Sequence, residues 1–110
     1  DDHMLYAPST WPGARAPHAW LADGTSTLDL FGRSFVLLRL DAALDTSAWQ
    51  AAATACELPL RVVDLAEPAL RTLYERALVL VRPDGHVAWR GDTHPASIAQ
   101  VLRTVTGHAA

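Results

Sequence analysis

The sequence predicts an α/β domain in which a βαβ unit and a ββα unit share a central mixed sheet, entered through an extended N-terminal arm. Three observations predict it. Residues 35–40 form an almost continuous apolar run that suits a strand covered on both faces, residues 60–65 read as a second strand, and residues 77–81 as a third, buried one. The first two runs flank a helical pattern, and a strand–helix–strand crossover of this size joins a parallel pair with a right-handed connection. Arg82-Pro83-Asp84-Gly85 then reads as a turn that sends the chain back antiparallel. With 110 residues, half of them hydrophobic and 19% charged, the chain suffices for one domain with a real core.

The first stretch, residues 1–25, is irregular. Its opening Asp1-Asp2-His3-Met4 reads as the tail of a linker, and Pro8, Pro12, Gly13 and Pro17 punctuate the rest of it. Proline fixes φ and removes a donor, so this arm is expected to run extended over a surface. The domain proper occupies residues 26–110. Residues 27–31 (Thr27-Leu28-Asp29-Leu30-Phe31) alternate like a half-buried strand, and Gly32-Arg33-Ser34 breaks the pattern before the run at 35–40. Ser47 and Gln50 have capping-box spacing, which predicts a helix from Ser47 through the alanine-rich run to Cys56. A second strand occupies 60–65. Pro68 suits the first position of a short helix through Tyr74, and a third strand covers 77–81. After the turn, His86-Val87-Ala88-Trp89-Arg90 forms the return strand. Pro95 opens a last helix whose Ile98, Val101, Leu102 and Val105 share one face, with Gly107 as its stop. Leu37, Val63 and Val79 are the expected centre of the sheet. The order β, β, α, β, α, β, β, α is that of a thioredoxin-like fold, since few α/β topologies close in so short a chain.

A thioredoxin-like fold raises the question of a redox site, and the residues answer it negatively. Where the strand ending at Leu40 turns into the first helix, the sequence is Asp41-Ala42-Ala43-Leu44-Asp45-Thr46-Ser47, without a cysteine. Thiol–disulfide exchange needs an attacking thiolate at a helix N-terminus and a resolving partner. Arg76-Ala77 also replaces the proline that precedes the third strand in active thioredoxins. The single cysteine, Cys56, falls near a helix C-terminus and reads as a buried or half-buried packing residue. A lone cysteine points to a reducing cytoplasm, and no apolar run reaches the ~20 residues of a membrane span.

Other chemistry is equally thin. His3, His18, His86, His94 and His108 form no metal-ligand spacing, so no metal is expected. The glycines stand singly at breaks and make no phosphate-cradling turn. Asp29, Asp64, Asp84 and Asp92 lack paired partners: Asp84 fits turn chemistry, Asp29 the solvent face of a strand, and Asp92 the approach to a helix. Trp49 and Trp89 read as core or sheet-covering aromatics. A net charge of −3 excludes a basic nucleic-acid footprint. The sequence thus assigns no catalytic, cofactor-binding or metal-binding residue.

Three segments in order resemble one family. They are Tyr6 with Pro12-Gly13-Ala14-Arg15-Ala16-Pro17-His18-Ala19-Trp20-Leu21; Ser26 to Gly32 with Phe35-Val36-Leu37-Leu38; and Leu78-Val79-Leu80-Val81-Arg82-Pro83-Asp84-Gly85-His86-Val87-Ala88-Trp89-Arg90. The chain is similar to the C-terminal thioredoxin-like domain of class A FAD-dependent aromatic hydroxylases, in the manner of actinobacterial polyketide hydroxylases and phenol hydroxylase. The resemblance implies a non-catalytic accessory domain. It implies that FAD and NAD(P)H serve the parent enzyme, with flavin and substrate held by upstream domains of the same polypeptide, which this domain packs against. A homodimer is a further implied partner.

Trp11, Arg15, His18 and Trp20 are the candidate docking residues. A proline-stiffened segment loses little entropy on binding, and Trp and Arg are enriched at hot spots. Two alternatives stand beside this reading. One is a free-standing, redox-inactive thioredoxin-fold module that recruits a partner through the arm; the other is a small-ligand protein using the aromatic face near Trp20.

Overall fold

The computed structural model describes residues 12–21, 24–32, 34–65 and 67–106. The described residues form an α/β domain with a four-stranded mixed sheet and three α-helices. In chain order these are β1 (Phe35–Arg39), α1 (Ser47–Ala55), β2 (Leu60–Asp64), α2 (Pro68–Tyr74), β3 (Leu78–Val81), β4 (Val87–Gly91) and α3 (Ile98–Val105). The sheet order is β2-β1-β3-β4. β1 runs parallel to β2, with Leu37 beside Val62, and antiparallel to β3, with Leu37 beside Leu80. β3 and β4 form the hairpin expected from Arg82-Pro83-Asp84-Gly85, and Gly85 takes φ +86°, which a residue with a Cβ adopts only under strain.

Each face of the sheet carries its own core. Val36, Leu38, Val79 and Val81 point toward Leu70 and Tyr74 of α2 and toward Ala16 of the arm. Leu37, Leu78 and Leu80 point the other way, against Trp49 and Ala53 of α1 and Leu102 of α3. Trp49 is fully buried and packs on Trp89 with ring centroids 5.2 Å apart. Gly91 makes this possible: a Cβ there would lie 2.8 Å from the Trp89 ring.

The structure corrects several sequence expectations. Residues 27–31 are not a strand; Thr27–Leu30 is a 3₁₀ turn. Ser26 Oγ accepts from Leu28 N, and Asp29 Oδ2 accepts from Ser26 N, so Asp29 is a capping residue and not a strand's solvent face. The N-cap of α1 is Thr46, not Ser47. Asp45 Oδ1 has already captured the Ser47 N–H at 2.9 Å, which places Ser47 inside the helix. α3 begins at Ile98 and not at Pro95, because Ser97 Oγ accepts from Gln100 N and caps it. Gly107, its expected stop, lies outside the described residues. Asp92 does not face a helix start; it accepts from Ala77 N and Arg71.

Cys56 is exposed, not buried. It sits at the C-cap of α1, one turn past the last buried residue, Ala53, where the backbone already leaves the helix. Val63 is only half-buried, whereas Leu37 and Val79 are fully buried. The reason is topological: β3 inserts beside β1 and leaves β2 at the sheet edge. That edge is blunted by Arg61 and Asp64, the latter held bidentately by Arg39 at 2.6 and 3.0 Å. Val63→Ala is therefore expected to cost about 1 kcal/mol, roughly half the transfer energy of a fully buried valine. Urea denaturation checks this, and a cost equal to that of Val79→Ala would contradict it.

Candidate docking surface

The arm is fastened to the domain before it presents anything to solvent. Gly13 N donates to Val87 O and Val87 N donates to Ala14 O, each at 2.8 Å, and Ala16 N donates to Gly85 O at 2.8 Å. Arg15 consequently pairs with His86 as an antiparallel bridge that extends the sheet past β4. The Pro17 carbonyl is buried and accepts twice, from Tyr74 Oη at 2.5 Å and from Thr27 Oγ1 at 3.1 Å. Burial pushes the Tyr74 phenol above its ordinary value, which keeps it a neutral donor. Thr27 closes the loop by accepting from Ala19 N at 2.9 Å and donating its own N–H to Ala19 O at 2.8 Å.

Beyond Ala19 the chain doubles back. Trp20 pairs antiparallel with Ser26, and Leu21 N donates to Thr25 O. This small hairpin holds the Trp20 side chain outward at 69% exposure. The His18 ring meets it edge-on, with centroids 5.0 Å apart. Among the described residues, Trp20 and Leu28 are the two large hydrophobic side chains left exposed, Leu28 at 47%. Leu28 and the exposed Arg15 line one shallow cleft with Phe31 and Pro83. Beside it, the His86 backbone N–H, supported by the His86 ring and Arg82, holds Asp84 below the usual carboxylate range.

The arrangement brings His18 and Trp20 together and places Arg15 on the neighbouring cleft. Trp11 lies outside the described residues. Leu28 is not among the candidates the sequence offers, because its alternating pattern suggests a strand. The signal that reveals it is the Ser26/Asp29 capping spacing, which turns the segment and swings Leu28 out.

The geometry suits an interface better than a reaction. Exposed aromatic and aliphatic groups on a backbone already locked by hydrogen bonds are prepared for docking, because little entropy remains to be lost. No group of three or more His, Cys, Asp or Glu among the described residues is arranged to hold a metal. Among the described residues, Gly13, Gly24, Gly32 and Gly85 each serve a separate positive-φ position, and none of the four opens a helix after a strand. Among the described residues, no helix is long and apolar enough to cross a membrane.

Comparison with known proteins gives this surface its setting. The family profile described as "Aromatic-ring hydroxylase, C-terminal" matches residues 9–109. The FAD-dependent monooxygenase apdD of Emericella nidulans is 42% identical over 93 residues, covering 80% of this chain and 15% of that protein. Tetracenomycin A2 monooxygenase-dioxygenase of Streptomyces glaucescens is 37% identical over 111 residues, covering 84% of this chain and 19% of its own. Among solved structures, the rebeccamycin biosynthetic enzyme RebC with reduced flavin superposes with a TM-score of 0.92 at 51% identity, over 97% of this chain and 21% of that one. Aklavinone-11 hydroxylase with FAD and aklavinone gives a TM-score of 0.73 at 34% identity, over 94% of this chain and 22% of that one. The chain thus spans between 15% and 22% of the length of these four relatives. With the profile covering nearly every residue, the chain belongs to the family of aromatic-ring hydroxylase C-terminal domains.

Proposed function

We propose that this chain is the thioredoxin-like, non-catalytic accessory domain of a FAD-dependent aromatic-ring hydroxylase. In this reading the parent enzyme uses FAD and NAD(P)H, both bound by upstream domains of the same polypeptide. The accessory domain packs against the flavin domain through the face bearing Arg15, His18, Trp20 and Leu28, and supports dimerisation of the parent. The observation that carries it is the family match over residues 9–109 to a C-terminal segment of proteins named as FAD-dependent monooxygenases, of which the chain spans only a fraction. The strand order β2-β1-β3-β4 with one parallel pair supports the thioredoxin-like assignment.

Purified alone, the 110-residue chain is expected to be colourless and to leave NADPH unoxidised when FAD is added. Excising the domain from the parent enzyme should leave flavin binding measurable while lowering the melting temperature. A stoichiometric flavin spectrum on the isolated chain would overturn the reading, as would a parent enzyme indifferent to the excision.

A further inference from the structure

The indole of Trp49 is buried on α1, and its Nε1–H donates to Nδ1 of His94, 3.0 Å away in the loop between β4 and α3. An indole N–H is a donor only. His94 therefore offers Nδ1 as a lone pair, which makes its ring neutral with the proton on Nε2. Adding a proton from solvent at Nδ1 sets two donors against each other. The bond breaks, and the buried indole N–H is stranded.

A second partner for the charged ring lies close by. The Asp45 carboxylate interacts electrostatically with His94 from the β1–α1 loop. The Ser47 backbone N–H and hydroxyl hold Asp45 below the ordinary carboxylate range, so it is ionised whenever an imidazole titrates. Among the described residues, the other charges on β1, β4, α3 and their flanking loops are engaged elsewhere. Arg39 binds Asp64 and the Leu44 carbonyl, Asp41 accepts from Ala43 N, and Asp92 accepts from Ala77 N and Arg71. Arg90 binds Glu75, Arg103 binds Gln100, and α1 itself carries no ionisable side chain.

We propose that His94 is a two-position proton switch. Neutral, it accepts from Trp49 and ties the β4–α3 loop to α1; protonated, it leaves Trp49 and turns to Asp45. The loop it anchors ends at Ser97, the N-cap of α3, so the switch bears on how α3 seats against α1. This inference is independent of the docking surface and of the parent enzyme's activity.

Nitrogen-15 NMR of the full chain tests it, with the Trp49 indole resonance assigned through Trp49→Phe. At about pH 8 the His94 nitrogens should report the Nε2–H tautomer, and the Trp49 indole proton should exchange slowly. On lowering the pH to about 5 the Trp49 resonance should move in step with His94. In His94→Gln, whose amide oxygen accepts without titrating, the Trp49 resonance should stop responding to pH. In Asp45→Asn the transition should shift to lower pH. An Nδ1–H tautomer at about pH 8 overturns the proposal. So does a Trp49 resonance that stays fixed while His94 titrates, or a transition that Asp45→Asn leaves in place.

Discussion

Leu37→Ala is expected to destabilise the isolated chain by about 2–5 kcal/mol, the range seen when a fully enclosed leucine is truncated and its cavity persists. Leu37 is fully buried on β1, with strands on both sides, and it faces the core that Trp49 and Leu102 complete. None of these neighbours can move in to fill the space without breaking its own packing. At roughly 4–8 °C of melting temperature per kcal/mol for a domain of this size, the variant should melt at least 8 °C lower. Calorimetry or urea denaturation decides it. A loss no larger than that of Val63→Ala would mean that the centre of the sheet has been misplaced.

Replacing Trp20 and Leu28 together by alanine is expected to act on the complete enzyme and spare the isolated domain. Both side chains are exposed in the domain, so its own stability should change by less than about 0.5 kcal/mol. Against a flavin domain, an anchor tryptophan of the hot-spot kind contributes about 2–4 kcal/mol. Its removal should raise the undocked population roughly 30- to 700-fold, read as faster proteolysis in the segment that precedes residue 12. Arg15→Ala with His18→Ala should act in the same direction and more weakly, since rim polar groups add little. Unchanged cleavage in the Trp20/Leu28 variant would remove this face from the interface and leave the family assignment untouched.

The strands and the hairpin turn are legible in the sequence because each is decided locally. The buried runs of β1 and β3 are apolar without interruption, and Pro83 and Gly85 restrict the turn to one shape. The rank of the strands is not local. Val63 and Val79 both sit in strands, and the insertion of β3 beside β1 makes one central and the other peripheral; Arg61 and Asp64 are the local trace of that edge position. Residues 27–31 are ambiguous between two periods, and the Ser26/Asp29 side chains settle the conformation by capturing backbone donors. The same competition at Asp45 moves the start of α1. Of the proposed docking face, Arg15, His18 and Trp20 are suggested by composition, while Leu28 becomes exposed only through the 3₁₀ turn. The Trp49–His94 bond joins residues with no local relation, so nothing in the sequence announces it.

The bridge between Arg15 and His86 has a consequence for how the protein is made. The two residues are separated by about 70 positions, so the loop they close is among the costliest in the domain and forms late. A ribosome adding about 5–20 residues per second completes the hairpin that receives the arm roughly 4–14 s after the arm itself has been translated. For that interval residues 13–16 lack the β4 edge that seats them, and the arm is held by its local contacts with Ser26 and Thr27. Under the proposed docking, a domain translated earlier waits for the last third of this chain before the surface acquires its shape.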